Sequence, residues 1–270
     1  MSRSKERLTA QITKALWDFQ MIAAGDRILV AVSGGKDSTA LLCDLANRRA
    51  HWPVPYTLLA FHVQTEFSPA GSLDFVHDIC DRVGVELLVR NVNVQRRLRT
   101  GERMNCYWCS LQRRLEILEC ACSRGLNKIA FGHHMDDIIE TWLMNLMQFG
   151  GANQGMLPHL PLEKYPLSFI RPLVYVEEWE LEVWMRSRGW ASSICSCDFG
   201  NNSERKRIRH LIAELTQGMP GRKRNLLRAA LGRLPQKQGE TRQVLEGQID
   251  EQGDEKKSRP LLDLGLQPPG

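Results

Sequence analysis

The segment that most restricts the fold runs from residue 28 to residue 47. The apolar run Ile28-Leu29-Val30-Ala31-Val32 has the length and continuity of a strand buried on both faces. It leads directly into Ser33-Gly34-Gly35-Lys36-Asp37-Ser38 and then into a helical stretch over 39–47. Two adjacent glycines let the backbone turn tightly and bring its N–H groups to an anion, and the helix that follows adds the positive end of its dipole. The loop is therefore expected to hold phosphate. Lys36 supplies a point charge, Ser33 and Ser38 supply hydroxyl donors, and Asp37 either holds Mg2+ or caps the helix. It is not a Walker A loop, because Val30 and Asp37 stand where that motif has its first glycine and its Ser or Thr. Nor do the adjacent Gly34 and Gly35 make the spaced dinucleotide fingerprint.

Around this segment strand and helix patterns alternate. An amphipathic helix over 8–22 precedes it. Buried-strand patterns follow at 58–63, 87–92 and 128–131, with helical stretches at 72–83 and 110–124 between them. The expected fold is α/β, a Rossmann-like parallel sheet covered by helices on both faces, with its ligand site at the carboxyl ends of the strands. After Gly150-Gly151 the alternation is expected to fade into helices over 177–188, 204–217 and 222–231, a helical C-terminal extension. The polar chain from 236 onward reads as a disordered tail. The resulting division is an N-terminal helix at 1–24, an α/β domain at 25–200 with an inserted Cys-x-x-Cys segment, a basic helical segment at 201–235 and the tail at 236–270.

With 43% hydrophobic residues in 270, a substantial core is assured. No apolar run approaches the roughly 18 residues that span a bilayer, and the start MSRSKERLTA lacks the apolar centre of a secretion signal, so a cytoplasmic protein with no membrane partner is expected. Between residues 203 and 233 nine Lys and Arg stand against two Glu, a local charge of +7 where the whole chain carries +5. Two readings stand side by side here: a surface for a polyanion, nucleic acid above all, and an ordinary solvated helix face.

Two further constellations carry chemistry. Gly132-His133-His134-Met135-Asp136-Asp137 follows the strand pattern at 128–131, at the same end of the sheet as the glycine loop. Its carboxylates can hold Mg2+ or act as a general base, its histidines can contact phosphate, and one of Asp136 and Asp137 is expected to cap the helix over 138–149. Among the eight cysteines, Cys106 and Cys109 form a C-x-x-C, and Cys195 and Cys197 form a C-x-C. Thiolates at such spacings converge on one metal, and a distant group can complete the site. Four thiolates would close a zinc site, whereas three on a 4Fe-4S cluster would leave one iron open. Cys43, Cys80, Cys120 and Cys122 read as small buried apolar residues.

The glycine loop resembles the signature of the PP-loop ATP pyrophosphatases, an adenine nucleotide α-hydrolase-like fold whose members adenylate a substrate oxygen and release pyrophosphate. By that resemblance Ser33, Gly34, Gly35, Lys36, Asp37 and Ser38 hold ATP phosphates, with Gly132 and His133 beside them, and adenine sits against Phe61, His62 and Val63. Lys36, Asp37, Asp136 and Asp137 are the implied catalytic residues. The segments WDFQMIAAGDRILVAVSGGKDS, CYWCSLQRR, KIAFGHHMDDIIET, FGG and IRPL, with the late cysteine pair, narrow the resemblance to the tRNA 2-thiocytidine synthetase branch, from about residue 12 to about 220. That branch uses ATP and a 4Fe-4S cluster on three cysteines to replace the C2 oxygen of an anticodon-loop cytidine, expected at position 32, with sulfur. Cys106 and Cys109 are two implied ligands. Alignment on Asn202 and Arg205 makes Cys197 the third, and alignment on the preceding strand makes it Cys195.

The implied chemistry has a physical logic. Transfer of AMP to the pyrimidine oxygen turns a hopeless leaving group into a stabilised phosphate monoester, while Lys36 and Mg2+ neutralise the departing pyrophosphate. Trp108 or Tyr107 can stack on the base or belong to the core. Arg171, in the IRPL segment, can anchor phosphate or RNA backbone or form a structural salt bridge. The implied partners are tRNA and a sulfur donor such as a cysteine desulfurase, and the chain can pair as a homodimer. The competing readings are a 2-thiouridine synthetase, a lysidine synthetase that needs no cluster, and a non-catalytic, zinc-stabilised RNA-binding protein.

Overall fold

A computed structural model of the chain describes residues 2–98, 101–150, 155–191 and 203–232. Cys195, Cys197, Arg233 and the tail expected at 236–270 lie outside them. The strands are β1 (Asp26–Ala31), β2 (Tyr56–Thr65), β3 (Leu87–Val92), β4 (Lys128–Ala130), β5 (His159–Pro161) and β6 (Ser168–Ile170). They form one sheet in the order β3-β2-β1-β4-β6-β5, parallel except for β5 at the edge. The helices are α1 (Ser2–Asp18), α2 (Lys36–Arg48), α3 (Ser72–Val83), α4 (Cys106–Ser123), α5 (Met135–Phe149), α6 (Glu178–Arg186), α7 (Ser203–Thr216) and α8 (Pro220–Ala230).

The continuous apolar runs are explained by burial on both faces. In β1, Ile28 and Val30 point into a core shared with α1, α2, α6, α7 and α8 through Leu16, Leu42, Leu181, Ile212 and Leu227. Leu29 points the other way, into a second core with Phe61, Ile117, Ile129 and Phe169. All three β1 residues are fully buried, and alternation along a strand with both faces covered leaves no polar position. At the amino ends of the central strands Lys128 Nζ lies 2.7 Å from Asp26 and donates to the Met21 carbonyl at 2.7 Å, so this buried charge is fully paired.

The crossovers through α2 and α3 run to one side of β1, whereas the crossover through α4 places β4 on its other side. The loops after β1 and β4 therefore diverge at a topological switch point, where α/β sheets open a crevice.

The structure corrects the expected fading of alternation after Gly150-Gly151. Strand β6 extends the parallel sheet beyond β4 and β5 closes its edge. Each has only three residues and Pro161, Pro166 and Pro172 lie among and beside them, so neither displays a strand-length period.

Candidate active site

The loop after β1 is organised by its own side chains. Ser38 Oγ accepts from Ser33 N at 3.1 Å and donates to the Gly35 carbonyl at 3.2 Å, while Ser33 Oγ accepts from Gly35 N at 3.2 Å. Gly34 has a φ of 83°, a left-handed turn that a Cβ would strain. Gly35 is the N-cap of α2, so no cap side chain occupies the first-turn amides and they remain available to an anion. Asp37, expected either to bind Mg2+ or to cap, is inside the first turn and does not cap. His62 lies between the cavity-lining Phe61 and Val63 and is not itself in the lining. Its side chain faces away from the cavity, with Nδ1 2.7 Å from the Val32 carbonyl and Nε2 2.8 Å from Gln64 Oε1, and so braces the strand that leads into the loop.

Beside this loop is a cavity of about 330 Å3. Phe61, Val63, Ile117 and Phe131 give it an apolar wall, and Ser33, Ser38, Asp37, Asp137, Arg113 and Arg114 give it polar ones. A purine against the first and phosphates against the second match that division. Gly132 lies where the loops after β1 and β4 meet: a Cβ there would come within 2.8 Å of Ser38 N and 3.0 Å of Ser38 Cα, both backbone atoms. Gly132→Ala is therefore expected to push the first turn of α2 out of place. Stability should fall by about 1–3 kcal/mol and the Kd for ATP should rise at least roughly ten-fold. Thermal melts and calorimetric ATP titration check both, and an unchanged Kd would separate the close approach from nucleotide binding.

The two adjacent carboxylates after β4 separate into different roles. Asp136 is a brace: it accepts from Glu178 N at 2.8 Å and pairs with Lys223 Nζ of α8 at 2.5 Å. Burial raises its pKa, but bonds from His134 and Lys223 outweigh this and hold the carboxyl well below the usual range. Asp137 faces the cavity with Asp37 and accepts from His134 N at 3.1 Å, as the expected cap of α5 from within its first turn. Asp37 is buried enough that its pKa rises, and its Oδ1 has no hydrogen-bond partner although Lys36 Nζ is 3.4 Å away. An orphaned carboxylate oxygen beside a second cavity-facing carboxylate suits a hard divalent cation whose remaining ligands are phosphate oxygens.

His134 lies among these acids, 3.4 Å from Asp137, 3.5 Å from Asp136 and 4.0 Å from Asp37. Burial lowers its pKa, but the three carboxylates raise it to about 9. A folded value above the unfolded 6.5 stabilises the protein fully below about pH 6.5, and the stabilisation disappears as pH rises through about 9. The melting temperature of the metal-free protein should accordingly decline across that interval, and His134→Asn should flatten the decline. An equal slope in the variant would assign the titration to another group.

Lys36 does not line the cavity. Its Nζ lies 3.0 Å from Glu178 Oε1 at the start of α6, and although burial lowers its pKa, Asp37 and Glu178 raise it above the ordinary value. The basic C-terminal helices are partly consumed in the same way. Arg209 and Arg205 pair with buried Glu140 of α5 at 2.8 and 3.6 Å, and Lys223 bridges Asp136 and Glu177. Lys206, Arg207, Arg222, Arg224 and Arg228 remain exposed.

The C-x-x-C opens α4, where Asn105 caps the helix by accepting from Trp108 N at 2.8 Å. Cys106 is exposed and Cys109 half-buried, and neither is in a disulfide. At 100° per residue Cys106, Ser110, Arg113 and Ile117 share one stripe, and the last three line the cavity. Cys106 is thus only about 6 Å along the axis from Ser110. Among the described residues no third His, Cys, Asp or Glu completes a metal site with this pair, and both candidates for a third thiolate, Cys195 and Cys197, lie outside them. Trp108 is half-buried and its indole N–H donates to the Val94 carbonyl at 3.1 Å.

A glycine loop with uncapped first-turn amides and a partly apolar cavity at the switch point of a mostly parallel sheet define a nucleotide-binding α/β protein, here with a thiol pair at the start of a helix that lines the cavity further along. Residues 4–216 match the PP-loop domain. The chain belongs to the PP-loop family. It is 33% identical over 238 residues to the tRNA-cytidine(32) 2-sulfurtransferase of Ralstonia nicotianae, covering 86% of this chain and 75% of that one. It is 36% identical over 223 residues to the enzyme of the same name from Geobacter metallireducens, covering 81% and 86%. The solved U34-tRNA thiolase NcsA of Methanococcus maripaludis, which carries a 4Fe-4S cluster, superposes with a TM-score of 0.71 at 20% identity over 84% of this chain and 77% of that one, a likeness of fold. Among the described residues no helix is long and apolar enough to cross a membrane.

Proposed function

We propose that the protein is an ATP-dependent tRNA-cytidine 2-sulfurtransferase acting on cytidine 32 of the anticodon loop in the cytoplasm. The observation that carries this reading is the shared helix: α4 has Cys106 at its start and, further along, Ser110, Arg113 and Ile117, which line the same cavity as Ser33 and Ser38 of the phosphate loop.

The amides at the start of α2, with Ser33 and Ser38, hold the triphosphate, and Phe61 and Val63 cover the base. Asp37 and Asp137 hold Mg2+, which when bound offsets charge on the pyrophosphate as it departs. Lys36 turns from Glu178 toward the same oxygens. Cys106 and Cys109, with Cys197 or Cys195, hold the 4Fe-4S cluster, which when bound supplies the sulfur nucleophile. Sulfur comes from a donor such as a cysteine desulfurase.

Mass spectrometry of tRNA nucleosides from cells lacking the gene tests the reading. Loss of 2-thiocytidine alone is the expected result. Loss of a thiouridine or of lysidine would reassign the substrate, and an unchanged nucleoside profile would refute the reaction.

A further inference from the structure

On the reading that the substrate is tRNA, we infer that Arg114 and Arg171 form a second anion subsite, separate from the phosphate loop, that receives a backbone phosphodiester of the substrate RNA. Arg171 directly follows β6, whose Ile170 carbonyl accepts from Phe131 N at 3.0 Å, so it stands at the carboxyl end of the sheet next to the loop that carries His133. It is only 8% exposed, its Nη1 donates to the Leu157 carbonyl, and its Nε has no partner. Arg114 lines the cavity from α4.

Neither arginine, nor the cavity-lining Arg113 whose Nε is also unpartnered, has a carboxylate counter-charge among the described residues. Lys36, Arg205, Arg209 and Lys223 each have a carboxylate within 3.6 Å or less. Among the described residues no ion pair includes Arg114 or Arg171, and burial first, with the repulsion of Arg205, lowers the pKa of Arg114 against a smaller raising effect of Tyr107. Burial first, and then the repulsion of Arg114, lower Arg171 to about 10. The nearby His133, with an unpartnered Nδ1, is kept neutral by burial and by the same two arginines. A buried guanidinium facing a second one is costly unless an anion arrives from outside, and the planar forks of two arginines suit phosphate oxygens. The structural salt bridge that the sequence allowed for Arg171 is absent among the described residues.

Position favours RNA over ATP as the source of that phosphate. The phosphate loop follows β1 and the apolar wall includes β2, whereas Arg171 follows β6, two strands away on the opposite side of β1. Two strand spacings come to about 10 Å. A nucleotide anchored on β1 and β2 does not cover the β6 side, and the incoming nucleoside must approach the α-phosphate from a side that the nucleotide leaves uncovered.

The test uses the full-length, cluster-containing protein under anaerobic conditions. Arg171→Met, Arg171→Lys and Arg114→Met are compared with wild type for tRNA Kd at several salt concentrations, ATP Kd and thermal melting. The Met variants are expected to weaken tRNA binding roughly ten-fold or more and to lower the salt slope by about one each, with ATP Kd unchanged in Arg171→Met, whose side chain does not line the nucleotide cavity. Arg171→Lys should keep the slope but lose part of the affinity, since it retains charge without the fork. Should Arg171→Met fail to fold, Arg171→Lys carries the comparison of tRNA with ATP binding and Arg114→Met the loss of tRNA affinity. Unchanged tRNA binding overturns the subsite, and so does a loss confined to ATP, which would make the pair a nucleotide site. If wild type binds no tRNA, it is the proposed function that falls.

Discussion

Cys106→Ala is expected to abolish formation of 2-thiocytidine while leaving the Kd for ATP within about three-fold of wild type. The side chain is exposed at the first position of α4 and belongs to neither core, so its removal should change stability by no more than about 0.5 kcal/mol. The loss would therefore come from the ligand and not from the fold. Iron and labile sulfide should fall in parallel with activity, because two thiolates cannot replace three. Cys122→Ala is the internal control: Cys122 is also exposed and on the same helix, but near its other end, and that variant should thiolate normally. Full thiolation by Cys106→Ala would separate the thiol pair from the reaction and leave the shared helix without chemical meaning.

What the sequence disclosed, and what it did not, follows from the range of the interactions. The glycine loop was legible because its geometry is local: one left-handed glycine, a following helix, and serines whose bonds span two to five residues. The central strands were legible because burial on both faces leaves an unbroken apolar run. Strands β5 and β6 were not, since three residues carry no period and β6 is defined by pairing with β4, some forty residues earlier in the chain. The roles of Asp136 and Asp137 were inseparable for a similar reason. Adjacent positions on a helix diverge by about 100°, and only the tertiary fold reveals that one meets Lys223 and the other meets the cavity. The +7 charge of the C-terminal segment looked like a free surface because Glu140, which absorbs Arg205 and Arg209, lies on a different helix. Arg113 and Arg114 line the cavity without having been singled out as site residues. For Arg113 the available signal was its place seven residues after Cys106, on one stripe of a helix beginning at the cysteines.

Lys36→Met should reduce pyrophosphate release in the presence of tRNA by about 100- to 1,000-fold, the usual cost of removing one charged group from a developing anion. In the structure Lys36 is paired across 142 residues with Glu178, which has two consequences. First, the lysine is held near the loop but out of the cavity, so it is close to its work without occupying the phosphate position. Second, Glu178, whose pKa burial raises but Lys36 lowers below the ordinary value, competes with phosphate for the same cation. A triphosphate bearing several charges should prevail in that competition, whereas a single carboxylate holds the ammonium in its absence. Glu178→Gln weakens the competitor and keeps the hydrogen-bonding shape, so it is expected to bind ATP at least as tightly as wild type and to retain pyrophosphate release within about three-fold. The pair of variants separates charge from position. Loss in Lys36→Met with retention in Glu178→Gln assigns the work to the ammonium. Equal loss in both would mean that the bridge between α2 and α6 shapes the loop, and Lys36 would then act through packing alone.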